Sequence, residues 1–167
     1  MKKINGNVTT PKGFQASGVM AGIRKKNRKD IALVYSEADC VAGATFTTNR
    51  VKAAPVNWDI SILRNGLSKH AVVLNSGIAN ACTGKEGFDA CEATAKAVEA
   101  ALGVPFESVA VASTGVIGMQ LPVEKLVNGV NMMSKTLDDS EAAGTAASKA
   151  IMTTDTINKE IAVTFEI

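Results

Sequence analysis

The chain has 167 residues, 46% hydrophobic and 20% charged, a balance that excludes disordered and fibrous classes. Its net charge of +2 and its single Trp, single Tyr and five Phe give neither the basic field nor the stacking surface that nucleic acid requires. Charged residues interrupt every apolar run before the roughly 18 residues a membrane span needs, and Met1-Lys2-Lys3 leads into polar residues rather than an apolar leader. A cytoplasmic protein is therefore expected, one domain over 1–167, with no membrane partner.

Residues 9–13 form a turn-rich lead-in, and 14–23 alternate apolar with small or polar residues as a twisted strand does. The basic run Arg24-Lys25-Lys26-Asn27-Arg28-Lys29 reads as the solvated turn of a hairpin centred on Asn27, with a phosphate-binding patch as the competing reading. A second strand follows over 31–35. Residues 41–46 are again small and β-branched. They lead into Thr47-Thr48-Asn49-Arg50-Val51-Lys52-Ala53-Ala54-Pro55-Val56, which reads either as a built loop or as a strand end with exposed polar residues. A short helix over 56–63 is expected to end at Asn65-Gly66. The apolar run 70–74 suits a strand covered on both faces.

The polar stretch Asn75-Ser76-Gly77-Ile78-Ala79-Asn80-Ala81-Cys82-Thr83-Gly84 comes next. Thr83 with Glu86 makes a capping box. The helix after it carries Phe88, Cys91, Ala95, Val98 and Leu102 on one stripe, and Gly103 is placed to end it. Cys91 is then a core residue. Cys82 has no histidine close in sequence to serve as its base, so it too is read as packing. Three cysteines without C-x-x-C spacing argue against a disulfide framework or zinc knuckle, and one histidine, His70, excludes a His-rich metal site, so no metal is expected. The place of His70 beside Lys69 suggests a strand edge.

The run 109–112 is a strand that delivers Ser113-Thr114-Gly115-Val116-Ile117-Gly118 at its mouth. In α/β sheets ligands lie beyond the carboxyl ends of strands. The Thr114 hydroxyl and the unshielded Gly115 N–H are adjacent donors suited to a developing oxyanion, while a ligand-free turn is the competing reading. Pro122 fits the first turn of a helix with Val123, Leu126, Val130, Met133 and Leu137 on one face and the Met132-Met133 pair as core filling. Asp138 with Glu141 marks a second cap, and 142–151 is an alanine-rich helix able to pack closely. Three hydroxyls and a carboxylate follow in Met152-Thr153-Thr154-Asp155-Thr156, a set suited to a polar small molecule, and 161–167 alternates as a strand. Strands and helices mix without strict alternation, so the expected fold is α/β, a layered sandwich of mixed sheets and helices. No P-loop or G-x-G-x-x-G supports nucleotide binding.

Four blocks together resemble the glutamate N-acetyltransferase and ornithine acetyltransferase family of arginine biosynthesis. They are residues 47–56, Asn75-Ser76-Gly77 with residues 79–84, residues 112–118, and Ala150-Ile151-Met152-Thr153-Thr154-Asp155-Thr156. They stand in family order and span nearly the whole chain. Ile78 departs from the pattern, where the family usually has a second asparagine. The resemblance implies a self-processing fold and acetyl transfer from N-acetylornithine to glutamate through a covalent acetyl-threonine. It implies no cofactor, although some members accept acetyl-CoA as a co-substrate. Thr114 and Gly115 match the family's oxyanion-hole pair, and Thr153 matches a substrate contact, with Thr154 the adjacent alternative. In the family the precursor cleaves itself before a threonine that becomes the nucleophile of a β segment, and that motif lies beyond the last strand here. The chain is therefore expected to be most of the α segment, active only with the β segment in an αβ hetero-oligomer, a heterotetramer. A ligand-binding or regulatory module of the same fold, without chemistry, is the competing reading.

Overall fold

A computed structural model describes residues 1–25 and 27–166; the Lys26 of the predicted turn and the Ile167 of the predicted last strand lie outside them. At its centre is a mixed sheet in the order β2 (Phe14–Val19), β3 (Ile31–Cys40), β4 (Lys69–Ile78), β5 (Val109–Val116). The first two pairings are antiparallel and β4 with β5 is parallel. The α/β sandwich read from the sequence holds, with different strand bounds. β2 stops at Val19 rather than 23, because the Asp30 carboxylate draws the Ala21 and Arg24 N–H groups into a turn, at 2.7 and 2.9 Å. β3 runs on to Cys40, with an irregular register after Tyr35.

Period-two alternation sorts the sheet's residues onto two faces. Ile31, Leu33, Val73, Val109 and Val111 point to a bulky core with α1 (Ala54–Leu63), α2 (Gly84–Leu102) and α3 (Val123–Met133). Each fully buried Val, Leu or Ile there contributes about 1.5–3 kcal/mol. Trp58 of α1 donates its indole N–H to the Val109 carbonyl at 2.9 Å, and the neighbouring Asp59 accepts the Val111 N–H at 3.0 Å. Two helix side chains thus take up backbone groups that β5, as an edge strand, would otherwise leave unpaired. The α2 stripe forms as expected, ending on Gly103 at φ 74° with its N–H on Glu99 O. The predicted capping box does not form, since the Thr83 hydroxyl donates to Asn80 Oδ1 at 2.7 Å instead. The Met pair splits: Met133 is fully buried while Met132 is half exposed.

The opposite face holds small residues. Ala16 and Ala32 meet Ala147 and Ala150 of α4 (Glu141–Ile151), and a Cβ added to Gly18 would lie 2.3 Å from the Ala146 carbonyl oxygen. Ser140, not Asp138, caps α4, accepting the Ala143 N–H. Asp138 is drawn away by its backbone pairing with Ala16 and braces the cap by accepting the Ser140 N–H at 2.8 Å. A separate two-stranded ribbon pairs β1 (Lys2–Ile4) with β6 (Ala162–Thr164). The sequence gives no strand signal at β1, and β6 is shorter than the alternation at 161–167 predicts. Among the described residues no helix is long and apolar enough to cross a membrane.

Candidate functional site

The polar stretches after the apolar cores of β4 and β5 do not leave the sheet as turns. Parallel pairing continues from Asn75↔Ser113 through Ser76↔Thr114 and Gly77↔Gly115 to Ile78↔Val116, so only Ile117 and Gly118 bend away. The facing glycines make this possible. A Cβ on Gly115 would lie 2.2 Å from the Gly77 carbonyl carbon, and the two residues have φ values of 139° and 114°, a region that favours glycine. The strand mouth expected at Ser113 therefore lies four residues further on, at Ile117.

Alternation along β5 then places the two predicted donors. Val109 O and Val111 N face the open edge of the sheet, toward α1, and Val116 O faces inward to the Ala79 N–H at 2.9 Å. By the same alternation the Gly115 N–H belongs to the open edge. Thr114 is exposed and pairs with Ser76 on the face that carries α4. Ser76 is buried and donates its hydroxyl to the Ala150 carbonyl at 2.7 Å. That bond draws the end of α4, and the Met152–Thr153 segment beyond it, to the same end and face of the sheet as Thr114. Thr153 is half-buried and Thr154 exposed.

Other bonds join the remaining block. Ser113 donates to Asn75 Oδ1 at 2.6 Å, and Asn75 Nδ2 to Ile78 O at 3.0 Å. Asn80, fully buried at φ 50°, accepts the Ala54 N–H on its carbonyl at 3.1 Å. The 47–53 stretch is a built loop: Thr47 Oγ1 accepts the Asn49 N–H and Asn49 Oδ1 accepts the Val51 N–H. Three of the sequence blocks thus meet at the carboxyl end of the parallel pair, and the fourth, 47–56, is joined to them through Ala54. Sequence reasoning missed Ser76 as the link to α4, because nothing local distinguishes a buried serine that bonds across the fold from one in a loop.

Within the basic run Lys25, Asn27 and Lys29 are exposed, as a solvated turn requires, but its two arginines are not free in solvent. Arg24 and Arg28 are half-buried, and each donates a guanidinium N–H to the Met152 carbonyl, at 2.8 and 2.9 Å. The Arg24 stem lies against Gly77, its Cγ 2.8 Å from where a Cβ would stand. Asp155 accepts the Thr153 N–H at 3.2 Å, and its hydrogen bond from Lys159 holds its carboxyl below the usual range.

His70 lies near the start of β4, the far end from Ser76, in an interior strand rather than at an edge. Its Nε2 meets Asp39 at 2.9 Å and its Nδ1 is 3.2 Å from the Ser36 carbonyl oxygen. Burial pushes the Cys91 thiol up to about 12, with the Asp59 charge adding to the effect, which fits a packing role and not a nucleophilic one. Among the described residues no cluster of three or more His, Cys, Asp or Glu is placed to hold a metal ion.

Residues 15–167 match the ArgJ family. The chain is 47% identical over its whole length to the arginine biosynthesis bifunctional protein ArgJ of Caldanaerobacter subterraneus subsp. tengcongensis. It is also 47% identical, over 93% of its length, to the protein of that name from Mycolicibacterium paratuberculosis. It spans about 40% of the length of each of these relatives. Among solved structures it is similar to ornithine acetyltransferase from Mycobacterium tuberculosis complexed with ornithine. That likeness has 46% identity and a TM-score of 0.90, covering 93% of this chain and 83% of that one. For the ArgJ protein of Bacillus halodurans the values are 36%, 0.87, 93% and 80%.

Proposed function

Because the chain belongs to the ArgJ family, we propose that it is the α segment of an arginine-biosynthesis acetyltransferase that moves acetyl from N-acetylornithine to glutamate. Thr114 and Gly115 supply the oxyanion donors, and Thr153 contacts the amino-acid part of both substrates. The nucleophile is the N-terminal threonine of a β segment released by self-cleavage. Its hydroxyl oxygen bonds to the acetyl carbon while its proton passes to the adjacent α-amine. The carbonyl oxygen takes negative charge between the Thr114 hydroxyl and the Gly115 N–H. Collapse breaks the C–N bond, and ornithine leaves with the proton on its amine. The glutamate amine then attacks the acetyl ester through the same oxyanion, regenerating the threonine. No cofactor is needed, and acetyl-CoA serves as an alternative acetyl donor. The assembly is an αβ heterotetramer in the cytoplasm, where its three free cysteines remain reduced.

The observation that carries this reading is the adjacency of an exposed threonine and an edge-facing glycine N–H, beside the segment that bears Thr153. Co-expression with a family β segment tests it. The complex is expected to form acetylglutamate from N-acetylornithine and glutamate, whereas the isolated chain gives background. Ornithine binding with no transfer in the assembled complex would instead favour the ligand-binding module.

A further inference from the structure

We propose that Arg24, supported by Arg28, is a positioning residue that fixes the peptide plane between Met152 and Thr153, and that buried Asp30 holds Arg24 in place. The proposal rests on the reading of Thr153 as a substrate contact.

Both ends of that peptide group are held. Its carbonyl oxygen accepts from Arg24 Nη1 at 2.8 Å and from Arg28 Nη2 at 2.9 Å, which uses both acceptor sites of a carbonyl. Its N–H donates to Asp155 Oδ2. With both edges fixed, the plane has one orientation, which places the Thr153 Cα and the N–Cα bond about which its side chain is set. The location adds to the effect. Met152 is where α4 passes into extended backbone, at φ −63° and ψ 138°, and the last carbonyls of a helix have no intrahelical donor and carry partial negative charge. Ser76 takes the Ala150 carbonyl and the two guanidinium groups take that of Met152, so the sheet sets the direction in which the chain leaves the helix.

Arg24 can do this because its backbone is fixed too. Asp30 is fully buried, and its two carboxylate oxygens accept the Ala21 and Arg24 N–H groups, one each. Its backbone joins three strands, with its N–H on Val19 O and its carbonyl accepting the Ser76 N–H, both at 2.9 Å. A buried carboxylate is costly unless hydrogen-bonded, and here the bonds tie the turn to the same residue, Ser76, that anchors α4. The Arg24 stem then crosses Gly77, directly beside Gly115. Among the described residues no carboxylate lies within ion-pair distance of Arg24 or Arg28, so neither guanidinium is tied to a competing acid.

The test uses the assembled, self-processed enzyme. Arg24→Met keeps an apolar stem over Gly77 and removes the donor. Losing one charge-assisted bond at the substrate-contact segment should raise KM for both N-acetylornithine and glutamate about tenfold, with kcat changed less than about threefold. Arg24→Lys, which restores one charged donor, should recover part of that loss. In a Thr153→Val background, Arg24→Met should raise KM by less than about twofold further, because the two residues act through one contact. A merely structural arginine would instead give KM effects that multiply, and that result overturns the proposal while leaving the Thr153 contact standing. If Thr153→Val alone leaves KM unchanged, the Thr153 reading fails and takes the proposal with it. Should Arg24→Met fail to process, Arg28→Met probes the same carbonyl, and full multiplicativity with Thr153→Val is again the contrary result.

Discussion

The two faces of the central sheet are built from different residues and do different work. Under α1, α2 and α3 lie Ile31, Leu33, Val73, Val109 and Val111, large side chains that supply most of the apolar burial. Under α4 lie Ala16, Gly18 and Ala32, facing Ala147 and Ala150 of the helix, which bury little but let helix and sheet backbones approach closely. Close approach brings the Ala150 carbonyl within reach of Ser76 and sets Thr153 at the end of the strands that carry Thr114. One face therefore holds the fold together, and the other determines where Thr114 and Thr153 stand relative to each other.

Cutting into the bulky face should change stability and not the site. Leu33→Ala, at a fully buried position, should cost about 2–5 kcal/mol in denaturant unfolding, with KM of the assembled enzyme unchanged below the melting transition. On the small face the two effects should come together. Gly18→Ala sets a Cβ 2.3 Å from the Ala146 carbonyl oxygen, which cannot move without α4. It should cost about 1–3 kcal/mol and also raise KM, because the end of α4 shifts with the helix. A Gly18→Ala enzyme with lowered stability and unaltered KM would remove the distinction between the faces.

A smaller effect is expected at Asp59, on the bulky side. Burial raises its carboxyl from 3.8 to about 6, opposed by the hydrogen bond from Val111. With the folded value above the unfolded one, the folded chain holds the proton more tightly. The stability that this group contributes is fully present below about pH 4 and is lost as pH rises through about 6. Asp59→Asn keeps an oxygen for the Val111 N–H and carries no charge. Its melting temperature should exceed that of the wild type at pH 7, and the wild type's relative gain between pH 6 and 4 should disappear. Catalytic parameters at pH 7 should stay the same, since Asp59 belongs to the bulky side.

Much of this was legible in the sequence, and most of the failures share a cause. The α2 stripe, the helix after Pro55 and the hairpin of β2 with β3 follow from local periodicity and turn chemistry, and the family was legible in four spaced blocks. The continuation of β4 and β5 through Gly77 and Gly115 was not, because it depends on two glycines facing each other across strands 38 residues apart. The role of half-buried Arg24 was hidden for a similar reason. A run of cations reads as solvated unless the acceptor is known, and the acceptor is a backbone carbonyl 128 residues away. The predicted cap at Asp138 was displaced by a partner far along the chain, Ala16, whereas that at Thr83 was lost to a side chain three residues away, Asn80.

The proposed chemistry turns on the exposed Thr114 hydroxyl, which beside the edge-facing Gly115 N–H would stabilise the oxyanion. Its most direct test is steady-state and single-turnover kinetics of Thr114→Val in the assembled enzyme, after a gel has confirmed complete self-cleavage. Loss of one such donor should lower kcat by about a hundredfold or more while KM changes little. A folded, fully processed Thr114→Val enzyme that turns over at the wild-type rate would contradict the account.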